Sequence, residues 1–334
     1  LRKESLWPYL PSLVDQIMRM VRARGRAPDL IHGHYADAGF VGSQVAKILG
    51  VPFLFTGHSL GRIKRERLLE QGQDPEALEE RYHFTQRIEA EEGALETAAL
   101  VIASTNQEVR EQYQRYDHYQ PERMVVIPPG VDLSRFSPME SDDKEDFGAI
   151  GEEVRRFLAD PGKPLIMAMA RADERKNFAT LVRAFGENRG LRERANLLLV
   201  MGNREDIRDM PGGAKRVLTD LLVLIDRYDL YGSVAYPKEH RPEDVPLLYQ
   251  MAAASGGVFV NPALTEPFGL TLLEAAASGL PVVATNDGGP QDILDACKNG
   301  LLIDPSDHEA LGRKLLEAVE YRERWRAWAR KGLD

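Results

Sequence analysis

Two carboxylates, Glu266 and Glu274, flank a short apolar run in "NPALTEPFGLTLLEAAASGLPVVATNDGG", residues 261–289. Pro267 biases Glu266 towards extended backbone. A helix is therefore expected to begin near Phe268 or Gly269, with Glu266 in the loop before it and Glu274 in its second turn. The N-terminus of a helix presents unpaired N–H groups and the positive end of the helix dipole, a setting that suits a phosphate. Gly269 lets the backbone come close to such an anion. At a rise of ~1.5 Å per residue, the two carboxylates stand on the order of 10 Å apart, one on each side of it. Each can take a pair of sugar hydroxyls, so the layout suits a nucleotide sugar: Glu274 on the ribose, Glu266 on the hexose, the diphosphate between. The alternative is a capping Glu266 and a solvent-facing Glu274 with no ligand.

A second constellation is "MARADERKN", where Arg171 and Lys176 follow an apolar run. Two fixed cations on one loop suit a diphosphate leaving group. A basic helix cap or a surface patch is the plainer alternative; a position one strand end away from the first anion site favours the ligand.

Such residues need strand ends to hold them, and the chain supplies these. "PDLIHGH", "VPFLFTGH", "LVIAS" and "RMVVIPPGVD" are short apolar runs in the first part; helical stretches "PSLVDQIMRMVRA", "AGFVGSQVAKILG", a long charged helix over 75–97 and a helix opened by Thr105 or Asn106 lie among them. The pattern restarts at "PLIMAMA" and continues through "ANLLLVMG", "GSVAYP", "GGVFVNP", "LPVVATN" and "GLLIDP". Short buried strands separated by helices predict parallel sheets covered on both faces. Residues 128–163 have little periodicity, several prolines and an acidic cluster, which reads as a connection. The expected domains are 1–140 and 164–334, with 141–163 between. Ligands of open α/β sheets sit at the carboxyl ends of the strands, where this chain concentrates Arg, His, Gly and Glu.

Composition sets the outer limits. The 334 residues are 43% hydrophobic and 28% charged, as in soluble globular proteins. No apolar run reaches the ~20 residues of a membrane helix, and no signal peptide is evident. The net charge of −9 argues against general nucleic-acid binding. Cys297 is the only cysteine, which rules out an internal disulfide and favours a reducing, cytoplasmic setting. No His/Asp cluster has metal-ligand spacing, so no metal is expected. No G-x-G-x-x-G follows a strand, which removes a dinucleotide oxidoreductase.

The second half resembles the donor domain of GT-B retaining glycosyltransferases, with "EPFGLTLLE" as their E-x7-E motif. The whole chain is more narrowly similar to the sucrose-phosphate synthases. That likeness is carried by "KESLWPYLPSLVDQ", "HGHYADAG", "FTGHSLGRIKRERLL", "RIEAEE", "RADERKNFATLVRAFGE", "LLLVMGNREDI", "YPKEHRPEDVPLLYQMAA" and the opening stretch. The resemblance implies two Rossmann-like domains facing a cleft. It implies glucosyl transfer from UDP-glucose to fructose 6-phosphate, giving sucrose 6-phosphate, with no cofactor required. Arg171 and Lys176 would neutralise the departing UDP, Glu266 would hold the glucose and Glu274 the ribose. Phe268, Gly269 and Leu270 would supply backbone N–H groups, and Asn203, Lys238 and His240 would frame the uracil. His58 would contact the donor glucose; Tyr35, Ser59, Lys64 and Arg87 would bind the acceptor, the last two on its phosphate. The resemblance also implies a first strand and glycine-rich loop before "KESLWPYL", and an aromatic segment after "RKGLD"; the first domain is expected to be incomplete. Sucrose synthase acting on plain fructose, another sugar-phosphate glycosyltransferase, and a non-catalytic sugar-nucleotide-binding protein are the alternatives.

Overall fold

The short apolar runs form short parallel strands in two separate sheets. The computed structural model describes residues 3–139 and 147–334, which divide into two units, Leu1–Pro128 and Pro129–Asp334.

In the first unit β1 (Ile31–His34), β2 (Phe53–Thr56), β3 (Leu100–Ala103) and β4 (Met124–Val126) lie side by side in chain order, all parallel. Helices α1 (Leu10–Arg24), α2 (Tyr35–Leu49), α3 (Gly61–Glu70), α4 (Pro75–Tyr82) and α5 (Phe84–Thr97) connect and cover them. Phe53, Phe55, Leu95, Val101 and Tyr113 form one of its cores. The β1–β2 register pairs His34 with Thr56, so the two strands end together. The expected single helix over 75–97 is instead two helices. His83 has left-handed backbone (φ 49°) between them, and the Glu79 carboxylate accepts the Thr85 N–H at 3.0 Å, capping the second helix with the end of the first. After β3, Thr105 Oγ1 accepts the Glu108 N–H at 3.0 Å as a cap. The chain then runs through a π-helical turn, Glu108–Gln112, and a tight turn, Tyr113–Arg115, that bury Tyr113 and Tyr116.

The second unit holds β5 (Leu165–Met169), β6 (Asn196–Val200), β7 (Val234–Ala235), β8 (Val258–Asn261), β9 (Val282–Thr285) and β10 (Gly300–Ile303). Their order is β10-β9-β8-β5-β6-β7, all parallel. Its helices are α6 (Gly148–Arg155), α7 (Phe178–Glu187), α8 (Arg189–Arg194), α9 (Gly212–Arg227), α10 (Asp244–Ala254), α11 (Leu270–Ala277), α12 (Pro290–Cys297), α13 (His308–Glu320) and α14 (Arg322–Leu333). Alternate strand residues go to opposite faces. Ile166, Ala168, Leu197, Leu199, Val258 and Val260 enter one core, while Leu165, Met167, Leu198, Val200 and Phe259 enter the other. Both faces are buried, which is why these strands read as unbroken apolar runs.

The domain expectation differs from the structure in one respect. Phe136, Phe147, Ile150, Val154 and Leu158 pack with Leu165 and Met167 in the second unit's core. Residues 129–139 therefore belong to the second unit rather than the first domain, and the expected connection contains α6. Residues 140–146 lie outside the described residues.

Candidate functional site

The chain enters the second sheet at β5, goes outwards to β6, and later returns to place β8 on the other side of β5. That reversal opens a crevice at the carboxyl ends of β5 and β8. Lys176 and Glu266 are found there. Lys176 Nζ donates to Glu266 Oε2 at 2.7 Å, and Asn261 Nδ2 donates to the same oxygen at 3.1 Å. Asn177, with left-handed backbone (φ 57°), donates from Nδ2 to the carbonyls of Pro262 and Pro305, and the Leu264 N–H donates to the Arg175 carbonyl. These bonds tie the loop after β5 to the loop after β8. The Glu266 backbone is fixed from its other side: its N–H donates to the Asp287 carbonyl, and its carbonyl accepts from Gly289, each at 3.0 Å. Gly288 has φ 105°, and a Cβ there would lie 1.9 Å from the Glu266 carbonyl oxygen, so only glycine fits.

Helix α11 begins where expected. Gly269 caps it with φ 99° and no side-chain hydrogen bond closes its first turn. Its N-terminal N–H groups are thus available to an anion. Phe268 is buried and Leu270 exposed, so this loop offers backbone rather than side-chain polarity. Glu274 is half-buried, and Tyr249 Oη donates to its Oε2 at 2.9 Å. Tyr249 is fully buried, and burial beside Glu274 pushes its hydroxyl well above the ordinary range, which keeps it a donor. The alternative of a merely solvent-facing Glu274 does not fit this contact. Arg171 stands elsewhere on the same loop: it is exposed and lines a cavity of about 530 Å³ with Asp173, Glu174, Gly213 and Arg216. Arg175, Asp173's principal hydrogen-bond donor, helps lower that carboxyl to about 2.

The loops after β6 and β7 are laced together. Asn203 Nδ2 donates to the His240 carbonyl at 3.0 Å, and the His240 N–H donates to Asn203 Oδ1 at 2.9 Å. The buried Arg204 donates to the Tyr236 and Pro237 carbonyls. Lys238 is exposed, with Nζ on the Glu205 carbonyl at 3.2 Å. Asn203, Lys238 and His240 therefore form one neighbourhood.

In the first unit the paired ends of β1 and β2 bring His32, His34, Tyr35, His58 and Ser59 together. His58 and Tyr35 both have left-handed backbone, φ 55° and 64°, a conformation non-glycine residues hold only under constraint. The constraint on His58 is visible on both sides of it. The Gly57 N–H donates to Tyr113 Oη at 2.9 Å, and the Gly61 N–H donates to Glu91 Oε2 at 2.9 Å. Glu91 is fully buried and also receives Arg87 Nε at 3.0 Å and the Tyr116 hydroxyl; Arg87 Nη2 donates to the Ser59 carbonyl. Arg87 is thus a buried ion-pair partner, not the helix-surface cation its sequence context allows. Its Nη1 makes no hydrogen bond among the described residues, and with Tyr35, Asp37, Tyr82 and Trp7 it lines a cavity of about 290 Å³. Lys64 Nζ lies 4.0 Å from the centre of the Tyr82 ring. Tyr35, Lys64 and Arg87 are brought together around Tyr82, with Ser59 on Arg87.

Sequence reasoning did not single out Glu91, Tyr113, Tyr116, Tyr249 or Asn261; it placed His34 among the polar residues at the strand ends but gave it no role. The spacing of Arg87 and Glu91, four apart on one helix, was the one signal available. Among the described residues no group of three His, Cys, Asp or Glu side chains could hold a metal ion, and no helix is long and apolar enough to cross a membrane.

Comparison with known proteins joins these two sites to a family. The model of the group 1 glycosyl transferases matches residues 150–333, more than half of the chain, and that of glycosyltransferase family 4 matches residues 1–135. The chain belongs to the group 1 glycosyltransferases. It is 49% identical to a sucrose-phosphate synthase of Zea mays over 384 aligned residues, covering 100% of this chain and 36% of that protein. Among solved glycosyltransferase structures, sucrose-phosphate synthase from Thermosynechococcus elongatus is 28% identical with a TM-score of 0.75, covering 100% of this chain and 74% of the other. The HepE protein of Anabaena, solved in complex with UDP-glucose, is 21% identical with a TM-score of 0.70, covering 96% and 76%. The GT-B fold and the resemblance to sucrose-phosphate synthases are borne out. The chain spans little more than a third of the length of the curated relatives it matches.

Proposed function

We propose that the chain carries glucosyl-transfer machinery of the sucrose-phosphate synthase type, moving glucose from UDP-glucose to fructose 6-phosphate with retention, without a metal and in a cytoplasmic setting. The observation that carries this reading is the grouping at the β5/β8 crevice of Lys176, Glu266, the uncapped N-terminus of α11 and the Tyr249-held Glu274. A cation and a helix N-terminus suit a diphosphate, and a carboxylate on each side suits the hydroxyls of two sugars. In this reading Lys176 turns from Glu266 to the diphosphate and Arg171 adds a second positive charge. Glu266 is then released to the glucose, Glu274 takes the ribose, and Asn203, Lys238 and His240 frame the base. The N–H groups around Phe268, Gly269 and Leu270 meet the phosphate.

Tyr35, Ser59, Lys64 and Arg87 take the acceptor, Arg87 through its unengaged Nη1, and His58 serves the reacting sugars. With Glu266 on the glucose and Glu274 on the ribose, neither serves as a nucleophile in this reading, which favours front-side displacement. The acceptor hydroxyl attacks the anomeric carbon on the face that UDP leaves, and the departing phosphate oxygen takes its proton. Catalysis then comes from position and charge. The test is a panel of UDP-glucose and ADP-glucose against fructose, fructose 6-phosphate and mannose 6-phosphate, run on this chain. Disaccharide phosphate from UDP-glucose and fructose 6-phosphate is expected; transfer to fructose alone would replace this reading with that of a sucrose synthase.

A further inference from the structure

We propose that His34 is a positioning residue for His58, holding the ring of His58 in one tautomer so that its Nδ1 faces substrate as an acceptor. His34 Nδ1 and His58 Nε2 are 2.8 Å apart, and the ring centres are 5.1 Å apart with 16° between their planes, so the rings lie end to end and nearly coplanar. Two neutral imidazoles at that distance share one proton on the line between them, so one ring donates and the other accepts. A free histidine side chain carries its proton preferentially on Nε2. If His58 donates from Nε2 to His34 Nδ1, both rings keep that preferred form. The opposite arrangement would force both rings into the less favoured tautomer. His58 Nδ1 is then a lone pair, and it makes no hydrogen bond among the described residues.

The surroundings brace this arrangement. The register of β1 and β2 sets the two histidines beside each other. The His32 ring lies 4.1 Å from His34, and His32 Nε2 is itself within 2.9 Å of Thr56 Oγ1. Tyr35 covers the other side of His58 at 4.8 Å. The left-handed backbone of His58, held through Gly57 and Gly61, aims the ring at His34. Together these contacts fix the orientation of the His58 ring.

The proposal rests on the reading of His58 as a residue serving the reacting sugars, and the experiment separates the two. Long-range ¹H–¹⁵N correlation spectra of ¹⁵N-histidine-labelled full chain report which nitrogen of His58 is protonated. The wild type should show Nε2–H, and His34→Ala should give a mixture of tautomers with an unchanged melting temperature. With UDP-glucose and fructose 6-phosphate, His34→Ala should lower kcat about tenfold, the size of one lost neutral hydrogen bond, while KM for either substrate changes less than about twofold. His34→Asn, whose amide oxygen can accept in place of Nδ1, should recover most of the loss. A proton on His58 Nδ1 in the wild type, or a His58 signal unmoved by His34→Ala, would overturn the proposal. So would an altered tautomer with unaltered kcat. An Nε2–H tautomer lost in His34→Ala, in a wild-type chain that transfers no glucose, would fault the reaction while establishing the pairing.

Discussion

Lys176 and Glu266 form an ion pair that the role expected of neither residue called for. Each is expected on a different part of the donor, yet they are paired with each other at 2.7 Å. A diphosphate must therefore compete with Glu266 for Lys176. Glu266→Gln should release Lys176 and leave UDP affinity equal or tighter, while turnover of UDP-glucose falls; calorimetry and initial rates separate the two. Glu274→Ala should weaken UDP binding by roughly 1.5–3 kcal/mol, the cost of a lost charge-assisted hydrogen bond, and calorimetry with an unchanged dissociation constant would remove Glu274 from the ribose. His58 yields a pH prediction. Burial pushes its imidazole below the ordinary value near 6.5, with His34 and His32 adding to the shift. The folded pKa is below the unfolded one, so stability drawn from the neutral ring is full above about pH 6.5 and is lost as pH falls through the folded value. Turnover that needs the neutral ring should share that acid limb, with a midpoint below about 6.5; a pH–rate profile checks it.

At the scale of elements, the loop from Gly57 to Gly61 is held by α5, through Arg87 and Glu91, and by Tyr113 in the turn after β3. Arg87→Ala would leave Glu91, fully buried, without its cation. The expected cost is about 3–5 kcal/mol, read from urea denaturation, so this variant cannot report on the acceptor alone. Lys64→Ala is the cleaner probe. It leaves the Arg87–Glu91 pair intact, and the KM for fructose 6-phosphate should rise about tenfold while UDP affinity stays the same. Gly288→Ala should destabilise the second unit by about 2 kcal/mol or more and abolish UDP-glucose turnover, because its Cβ would meet the Glu266 carbonyl. The same contacts mark how far the sequence was legible. Continuous apolar runs such as Leu165–Met169 announce doubly covered strands, and Pro267 with Gly269 announces the start of α11. The break at His83 was not legible, because a left-handed residue stands among good helix formers and the cap comes from Glu79, six residues before the N–H it accepts. The His34–His58 pair depends on strand register, and the Tyr249–Glu274 bond joins residues 25 apart through packing; neither leaves a local pattern.

At the scale of the molecule, the proposed donor contacts fall in one unit and the proposed acceptor contacts in the other, each with its own cores. Hydrogen exchange with and without UDP should show protection around residues 171–177 and 264–274, with little at 57–61; protection centred on 57–61 would contradict the division of roles. The strand order of the second unit also bears on how the chain is made. β5 is the first strand of its sheet to be synthesised and Lys176 follows it at once, but Glu266 lies 90 residues further on. A nascent chain therefore carries β5 paired on one side by β6 while its other edge waits for β8. That edge is apolar and unpaired, the kind that recruits foreign strands. Ribosome stalling or premature termination between Lys176 and β8 would release a half-sheet with an open seam where the anion site should close. Codons and chaperones that govern this interval should thus influence the yield of active protein more than those elsewhere in the chain.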